Sequence, residues 1–407
     1  MPSAKLQVPR GTFDVLPEDG QRRRELTCSA GATLALAGYG VLETPVFEDT
    51  ELFARGVGES TDIVRKEMFT FEDKGGRSLT LRPEGTAGVC RAYVEHGMHK
   101  LPQPVKVWYS GPFFRHETPQ AGRYRQFTQI GAEALGSDDP ALDAELILLL
   151  REILAPADTR LRLSSLGNSE TRGAYGEELR SYIRGHESKV SEEVRARIEQ
   201  NPLRAFDSDH AGTREVMAGA PRLIDRLDPE DAEHFADVRA LLDEVGCEYE
   251  LDPTLVRGLD YYTRTVFEFE SPSLGAQSGV GGGGRYDGLV GQLGGPPTPG
   301  VGWAAGVERI LLASPEIENE ADLRRIYVVV PAPEKRAEAF RLTQTLRARG
   351  VAAEMETAGR SVKGQMKQAD RVGATAAVIV GDELEVRNML SGEQKVVKGI
   401  EDILTPV

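Results

Sequence analysis

The segment 325–407 restricts the possible folds of this chain most strongly. It contains three strand-like runs, separated by helical segments that end at Gly350 and Gly373. The runs are Ile326–Pro331, Val351–Glu356 and Ala376–Val380. Strands that alternate with helices along the chain are typical of a mainly parallel sheet. Strands that are apolar along their whole length, without alternating polar residues, are typical of a sheet buried on both faces. The sequence therefore predicts a separate α/β domain here, after a polar linker near Ser314–Asp322.

Upstream, strand-like runs follow a predicted helix at Asp19–Tyr39 and lie on both sides of a charged segment. The runs are Val41–Phe47, Ser78–Arg82, Val105–Tyr109, Tyr124–Leu135 and Glu248–Glu270. The charged segment, Arg172–Val245, has a helical pattern with a break at Asn201–Pro202. Because strand signals resume only after it, we interpret it as an insertion.

Composition indicates a globular protein of two or three domains in a reducing compartment. The 407 residues include only three widely spaced cysteines, which suggest neither a disulfide framework nor a CxxC metal site. The first residues lack the apolar core of a signal peptide, and no apolar run approaches the roughly 18 residues of a membrane span. We therefore expect a cytoplasmic protein without a membrane partner.

The net charge of −15 argues against a nucleic-acid partner, but the charge is unevenly distributed. The segment 325–407 carries 13 basic and 11 acidic residues, net +2, which leaves net −17 upstream. Within 170–244 the net charge is −7. The tail is thus the part least repulsive to RNA.

Guanidinium groups dominate the loop in Phe113–Phe127, which joins two strands and carries Arg115, Arg123 and Arg125. A planar guanidinium at a strand end can bind two oxygens of a phosphate and keeps its charge. Taken alone, the loop could equally be a solvated hairpin.

The strand that follows this loop places Phe127, Gln129, Gly131 and Glu133 on one face, since side chains alternate with period two. A carboxylate and an amide then flank a glycine that would leave room for a ligand. The competing interpretation is the wet face of a sheet.

The stretch Thr80–Thr86 offers Glu84 and Thr86 as acceptors for an ammonium group, although a Pro-Glu-Gly turn is usually structural. The run Gly279–Gly284 satisfies GxGxxG, but no helical βαβ unit follows, so a dinucleotide fold is improbable. Four consecutive glycines instead allow close approach of a flat ligand.

His96 and His99 are close enough in sequence to suggest a metal pair. They have no third metal ligand nearby, and we interpret them as surface residues.

Four stretches resemble known synthetase segments. Phe113–Phe127 resembles motif two of the class II aminoacyl-tRNA synthetases, and Gly302–Ile310 resembles their motif three. Thr80–Thr86 is similar to the loop that holds the substrate α-amino group. Val256–Glu268, with its Arg, acid and two adjacent tyrosines, resembles the histidine-specific segment of the histidyl-tRNA synthetases. The resemblance extends over nearly the whole chain and is to the bacterial type.

The resemblance implies a fold, a reaction and partners. The fold is an α+β class II catalytic domain with an antiparallel sheet over 1–170 and 246–315, a helical insertion over 171–245, and an anticodon-binding domain over 325–407. The reaction is ATP-dependent activation of L-histidine and transfer to the terminal adenosine of tRNA(His). A homodimer is implied, as is Mg²⁺ carried by ATP without a dedicated protein metal site.

Residue roles follow from the same resemblance. The catalytic cations are Arg115 at the α-phosphate, Arg309 at the γ-phosphate, and Arg257 between the α-phosphate and the carboxylate. The histidine-binding residues are Glu84, Gly85, Thr86, Arg115, Gln129, Glu133, Arg257, Tyr261 and Tyr262, of which Glu133 and Tyr262 would hold the imidazole nitrogens. The ATP-binding residues are Arg115, Arg123, Phe127 and Arg309.

Some positions depart from the family pattern, and two other functions compete. Phe13, Thr118 and Ala121 stand where basic or polar residues are frequent, and Gly381–Arg387 is short. One rival is the non-charging regulatory subunit of ATP phosphoribosyltransferase, which typically lacks the tail and the run from Arg257. The other is a sensor of uncharged tRNA, which would not need the three phosphate-binding arginines.

Overall fold

The computed structural model describes residues 6–58, 61–275, 278–314 and 325–404. The chain divides into two compact units, Met1–Glu316 and Ile317–Val407. The linker predicted near Ser314–Asp322 lies almost entirely outside the described residues. None of the helices within the described ranges combines the length and the apolar character that crossing a membrane demands.

The first unit contains eleven strands and ten α-helices within its described residues. The strands are β1 Gly40–Val41, β2 Phe47–Asp49, β3 Phe69–Glu72, β4 Ser78–Leu81, β5 Val105–Phe114, β6 Gln126–Leu135, β7 Arg160–Ser165, β8 Glu250–Leu251, β9 Thr263–Glu270, β10 Gly279–Arg285 and β11 Gly300–Gly306. The helices are α1 Pro17–Leu36, α2 Thr50–Val57, α3 Thr86–Glu95, α4 Pro140–Ile153, α5 Ser169–Arg184, α6 Glu192–Arg197, α7 Ala211–Ala218, α8 Pro229–Glu244, α9 Leu289–Gln292 and α10 Val307–Ala313.

Eight of these strands form one sheet in the order β1-β5-β6-β11-β10-β9-β7-β8. The pairs are antiparallel except for the parallel outer pairs β1–β5 and β7–β8. The glycines of β10 let its neighbours approach closely, since a Cβ at Gly283 would lie 1.9 Å from the carbonyl oxygen of Gly302. The antiparallel catalytic sheet implied by the resemblance is confirmed.

One face of this sheet is covered by helices that form the main core. Leu34 of α1, Leu146 of α4 and Ile310 of α10 are buried there with Trp303 of β11. Phe235 of α8 belongs to the same core. The predicted insertion therefore ends in a helix whose apolar face packs beneath the large sheet.

A second, three-stranded sheet has the order β2-β4-β3. The single strand predicted over Val41–Phe47 is wrong: Val41 ends a strand of the large sheet, and Phe47 begins a strand of the small one. Pro45 lies between them and has no N–H to donate to a ladder. The chain changes sheets at this proline.

The predicted charged segment is helical, as expected from its pattern. It contains α5, α6, α7 and α8, with a short 3₁₀ turn at Pro202–Asp207 directly after the predicted break. Side-chain caps begin the longer helices: Asn168 accepts from the Thr171 amide at α5, and Asp228 accepts from the Asp231 amide at α8.

The second unit has the predicted α/β organisation. Its strands are β12 Arg325–Val329, β13 Ala352–Met355, β14 Ala376–Val380, β15 Leu384–Asn388 and β16 Gln394–Val397, and its helices are α11 Arg336–Ala348, α12 Val362–Arg371 and α13 Ile400–Leu404. The sheet order is β13-β12-β14-β15-β16, with the first three strands parallel and the last two antiparallel to their neighbours. Gly350 and Gly373, at φ of 78° and 63°, follow the ends of α11 and α12 as predicted.

Candidate active site

A cavity of about 210 Å³ opens where the arginine loop, β10 and the turn before α3 meet. All of the predicted site residues except Glu133 line it: Glu84, Gly85, Thr86, Arg115, Arg123, Phe127, Gln129, Arg257, Tyr261, Tyr262 and Arg309. These residues come from four separate parts of the chain. The fold therefore brings together side chains that the sequence offers only in separate motifs.

Glu133 lies directly behind the cavity wall and is fully buried. Its oxygens accept hydrogen bonds from the hydroxyls of Thr86 (2.7 Å), Tyr109 (3.2 Å) and Tyr286 (2.6 Å). Burial raises the pKa of Glu133 to about 8, against the lowering effect of the Tyr286 and Thr86 hydroxyls. The interpretation of this carboxylate as the wet face of a sheet is thus excluded.

The space predicted above Gly131 is not open to a ligand. Tyr109 pairs with Gly131 across β5 and β6, and a Cβ at Gly131 would lie 2.3 Å from Cζ of the Tyr109 ring. A Cβ at Gly85 would meet the same ring at 2.3 Å. Both glycines therefore make room for a protein side chain, which in turn supports Glu133.

The turn before α3 is fixed by its own carboxylate. Glu84 accepts from the backbone amides of Thr86 (2.7 Å) and Ala87 (2.9 Å), where α3 begins. Burial raises the pKa of Glu84, against the lowering effect of these two amides. Arg115 Nε donates to the carbonyl oxygen of Pro83 at 2.9 Å, so the turn and the arginine loop hold each other.

Four guanidinium groups face the cavity. Glu117 lies 3.8 Å from Arg115 and 3.3 Å from Arg123, measured between nitrogen and oxygen. Burial and the neighbouring Arg123 both lower the pKa of Arg309. Repulsion between two guanidinium groups in a partly buried cavity makes an anionic ligand favourable there.

Arg257 is held against β9 and β10. Its Nη1 lies 3.1 Å from a Glu268 oxygen, and a Cβ at Gly282 would come within 3.1 Å of the same nitrogen. Burial lowers the pKa of Arg257, but the Glu268 carboxylate and the neighbouring Tyr262 and Tyr261 together outweigh it and the net shift is upward. The Arg257 side chain thus occupies part of the space left by the glycine run. Gly279, Gly281 and Gly282 of that run line the cavity.

Two buried polar atoms in the cavity wall lack a hydrogen-bond partner within the described chain. They are Oε1 of Gln129, an acceptor, and Nε of Arg257, a donor. Buried polar atoms in proteins are nearly always paired. A ligand that offers both a hydrogen-bond donor and an acceptor would satisfy these two atoms.

The structure adds residues that the sequence motifs did not indicate. Glu117, Glu268 and Glu308 line the cavity, and Tyr109 and Tyr286 hold Glu133. Glu268 stands at the end of the histidine-specific run, and this position was the only signal for it. Nothing in the local sequence connects Tyr109 or Tyr286 with Glu133.

The departures Phe13 and Thr118–Ala121 lie near the arginine loop. The Phe13 ring packs 4.5 Å from that of Tyr124, and Arg23 lies over it at 5.2 Å, both measured to ring centroids. An isolated bridge between Gln120 and Arg123 closes the tip of the loop. The aromatic contact at Phe13 fixes the base of the loop where a polar residue would be solvated.

Comparisons with known proteins agree over almost the entire chain. The family described as histidyl-tRNA synthetase matches residues 11–310, and the family described as anticodon binding domain matches 325–403. A histidine–tRNA ligase of Rubrobacter xylanophilus is 51% identical over 96% of both chains, and one of Rhodococcus opacus is 45% identical over 100% of this chain and 98% of its own. The crystal structure of apo S. aureus histidyl-tRNA synthetase superposes with a TM-score of 0.81 at 36% identity over 98% of both chains. On this evidence the chain belongs to the histidyl-tRNA synthetase family, class II.

Proposed function

We propose that the cavity binds L-histidine and ATP side by side and forms histidyl-adenylate, the first step of the histidine–tRNA ligase reaction. The observation that carries the proposal is the convergence of four guanidinium groups in one cavity, whose wall also contains an acceptor on Gln129 and a donor on Arg257 that are unpaired among the described residues. The charge suits a polyphosphate, and the two orphaned atoms suit the ammonium and carboxylate of an amino acid. The three arginines kept at this site argue against the two non-charging rivals.

The amino-acid backbone would lie between the α3 turn and β6. Oε1 of Gln129 would accept from the α-ammonium group, together with oxygens of Glu84 and Thr86. The orphaned Nε of Arg257 would then face the carboxylate, with Arg115 on the side of the α-phosphate. The assignments of Gln129 and Arg257 give a partner to two buried atoms that otherwise have none within the described chain, which is the physical reason for the arrangement.

The imidazole would lie against Tyr261 and Tyr262, which are 6% and 5% exposed. Glu133 remains the predicted partner of one ring nitrogen. Since its oxygens already accept from three hydroxyls, the imidazole would have to replace one of these contacts or share an oxygen. A site built this way leaves polar groups unpaired when a ring without nitrogens binds, which favours rejection of other aromatic amino acids.

ATP would lie along the arginine loop. Phe127, with the Arg115 guanidinium 5.4 Å from its ring centroid, offers an apolar surface to the nucleotide, and Arg123 and Arg309 face its outer phosphates. A histidine carboxylate oxygen attacks the α-phosphorus and the bond to the β-phosphate breaks, so pyrophosphate leaves. A hydroxyl of the terminal tRNA adenosine then attacks the acyl carbon and AMP leaves. Alignment and fixed positive charge are sufficient for both steps, without a protein nucleophile.

Mg²⁺ would enter with ATP. Among the described residues, no group of three or more His, Cys, Asp or Glu side chains is placed to hold a metal ion. The carboxylates Glu117 and Glu268 in the cavity wall fit an ion held mainly by phosphate oxygens and water. Bound there, Mg²⁺ would neutralise phosphate charge.

The remaining partners are also proposals. The module 325–403 would read the tRNA(His) anticodon, since it matches an anticodon-binding family and the sequence 325–407 has a net charge of +2 against −17 upstream. Two copies of the chain would form a homodimer through the small sheet, where Phe47 and Phe71 are 51% and 43% exposed. A cytoplasmic location is the one in which these substrates meet.

The catalytic assignment is tested by Arg257→Ala. Loss of one preorganised cation should slow adenylate formation by roughly 10² to 10³, with the fold intact. Arg226→Ala is the matched control, because Arg226 makes an exposed pair with Glu178, 2.9 Å between nitrogen and oxygen. Rapid-quench measurement of adenylate formation compares the two, and a near-normal rate in a folded Arg257→Ala protein would refute the role.

A further inference from the structure

The strongest departure from ordinary backbone geometry lies two residues after Tyr262. Arg264 has a φ of 46°, and it is the one non-glycine residue with positive φ in the described ranges. This left-handed region is unfavourable for a residue with a Cβ, and such residues persist only where their surroundings hold them. The surroundings of Arg264 must therefore supply the compensation.

Backbone pairing supplies part of it. The Arg264 amide donates to the carbonyl oxygen of Gly167 and the Leu166 amide donates to that of Arg264, both at 2.8 Å. On its other side β9 pairs with β10. Gly284 pairs with Val266 and the next residue, Arg285, pairs with Thr263, so this irregularity leaves Arg264 and Thr265 without a partner residue in β10. A bulge of this kind bends a strand and changes the direction of the residues that precede it.

The Arg264 side chain supplies the rest. Its Nε donates to Asp231 at 2.7 Å, and its outer nitrogen pairs with Glu230. Asp231 is fully buried and also accepts from the amide of Asn168 at 2.7 Å. A buried carboxylate that loses its guanidinium is costly, so this pair fixes the Arg264 backbone from the start of α8.

A further contact, from α5, reaches the side of the cavity where histidine would bind. Arg172, in the first turns of α5, pairs with the carbonyl oxygen of Tyr262. The Tyr261 and Tyr262 rings, 4.7 Å apart, form the adjoining cavity wall. The starts of α5 and α8 are thus bonded on either side of Thr263, the first to the backbone of Tyr262 and the second to the side chain of Arg264.

We propose that Arg264 is a positioning residue for histidine recognition: held in its left-handed conformation by Asp231, it sets the direction in which Tyr262 enters the cavity. The inference rests on the proposed function, because Tyr262 must contact the substrate for its position to matter. It assigns to the start of α8 a function in the active site besides packing.

A double-mutant cycle with Tyr262→Phe tests this inference on the full-length protein. Arg264→Ala should raise the KM for histidine about tenfold in histidine-dependent pyrophosphate exchange and leave the KM for ATP within about twofold. On the Tyr262→Phe background the same change should add less than about twofold, because the hydroxyl it positions is already absent. Arg226→Ala, which breaks an exposed arginine pair, should change neither constant.

Two further variants separate positioning from folding. Arg264→Lys keeps the charge and should restore part of the histidine KM, while Arg264→Gly, which relieves the backbone but removes the ion pair, should fall between Arg264→Ala and the parent. These two variants also carry the test if Arg264→Ala does not fold.

An equal rise in the KM for histidine and the KM for ATP would overturn the proposal. So would effects of Arg264→Ala and Tyr262→Phe on the histidine KM that multiply in the double variant. If Tyr262→Phe alone leaves the histidine KM unchanged, both this proposal and the assignment of Tyr262 are wrong, whereas a sensitive Tyr262→Phe with a silent Arg264→Ala overturns this proposal only.

Discussion

At the scale of single residues, the protonation of Glu133 distinguishes this site from a plain acceptor pocket. Its pKa of about 8 results from complete burial, which three hydroxyl donors only partly offset. A carboxyl that is largely protonated at neutral pH can donate to an imidazole nitrogen as well as accept from one. The same burial has a measurable effect on stability.

Glu133→Gln should change how stability depends on pH. The pKa of about 8 in the folded protein lies above the ordinary glutamate value of 4.5, so the folded state binds the extra proton between these values and stability falls as pH rises through this window. A rise of one pH unit within the window lowers the free energy of unfolding by about 1.4 kcal/mol. The glutamine variant cannot titrate, and it should therefore gain stability relative to the parent, by up to a few kcal/mol, from pH 5 to pH 8. Denaturant unfolding at several pH values measures the difference, and parallel curves for the two proteins would contradict the raised pKa.

The arginines and the paired tyrosines lie in distinctive runs, but the resemblance of these runs to a known family, more than residue type and spacing, selected 11 of the residues that line the cavity. The contacts behind the wall could not be predicted. Period-two alternation assigns Glu133 and Gly131 to one face, but it does not reveal that the Tyr109 ring fills the space between them. Glu117 and Glu268 were also missed: both lie within the recognised runs, but a lone acid in a strand or loop does not itself indicate that it lines a cavity.

At the scale of elements, the predicted ends of strands were wrong where a proline lies within the predicted strand or just after it. β5 continues to Phe114 through Pro112, well beyond the predicted end at Tyr109, and the Pro112 carbonyl oxygen accepts from Arg82 at 2.9 Å. A proline keeps its carbonyl for pairing even though it has no N–H, so the strand survives. At Pro45 the chain instead changes from one sheet to another. Sequence alone does not distinguish these two outcomes.

The small sheet leads to a prediction about assembly. The Phe47 and Phe71 rings, 6.3 Å apart, form an exposed apolar pair on β2 and β3, the strands on either side of β4. If this pair lies in the dimer interface, the double variant Phe47→Asp, Phe71→Asp should place charges in a dry contact and dissociate the dimer. Sedimentation velocity measures the change, with Leu390→Asp, at a 94% exposed position of the second unit, as control. An unchanged dimer would exclude the small sheet from the interface.

At the scale of the whole molecule, the two units differ in architecture and charge. Each has its own buried core, around Trp303 in the first and around Val328 in the second. The α/β organisation of the tail was predictable because fully apolar strands alternate with capped helices. The class II sheet was predictable only through the resemblance, since its strands are distant in sequence and the whole of the segment from α5 to α8 separates β7 from β8.

A chain that ends at Ser314 should separate the two steps of the reaction. It retains the complete cavity and the first core, so it should still activate histidine, while charging of tRNA(His) should fall steeply because the anticodon module is absent. Pyrophosphate exchange serves as the internal control for folding of the shortened chain. Equal charging with and without 325–407 would contradict the assignment of this unit to tRNA.

The central claim is that this cavity activates histidine with ATP, and amino-acid-dependent exchange of labelled pyrophosphate into ATP tests it most directly. The full-length protein should be assayed with Mg²⁺ and each of the twenty amino acids in turn, without tRNA. We expect exchange with histidine alone, since only this side chain would satisfy both Glu133 and Tyr262. Exchange supported equally by another amino acid, or no exchange with histidine by a folded protein, would contradict the account.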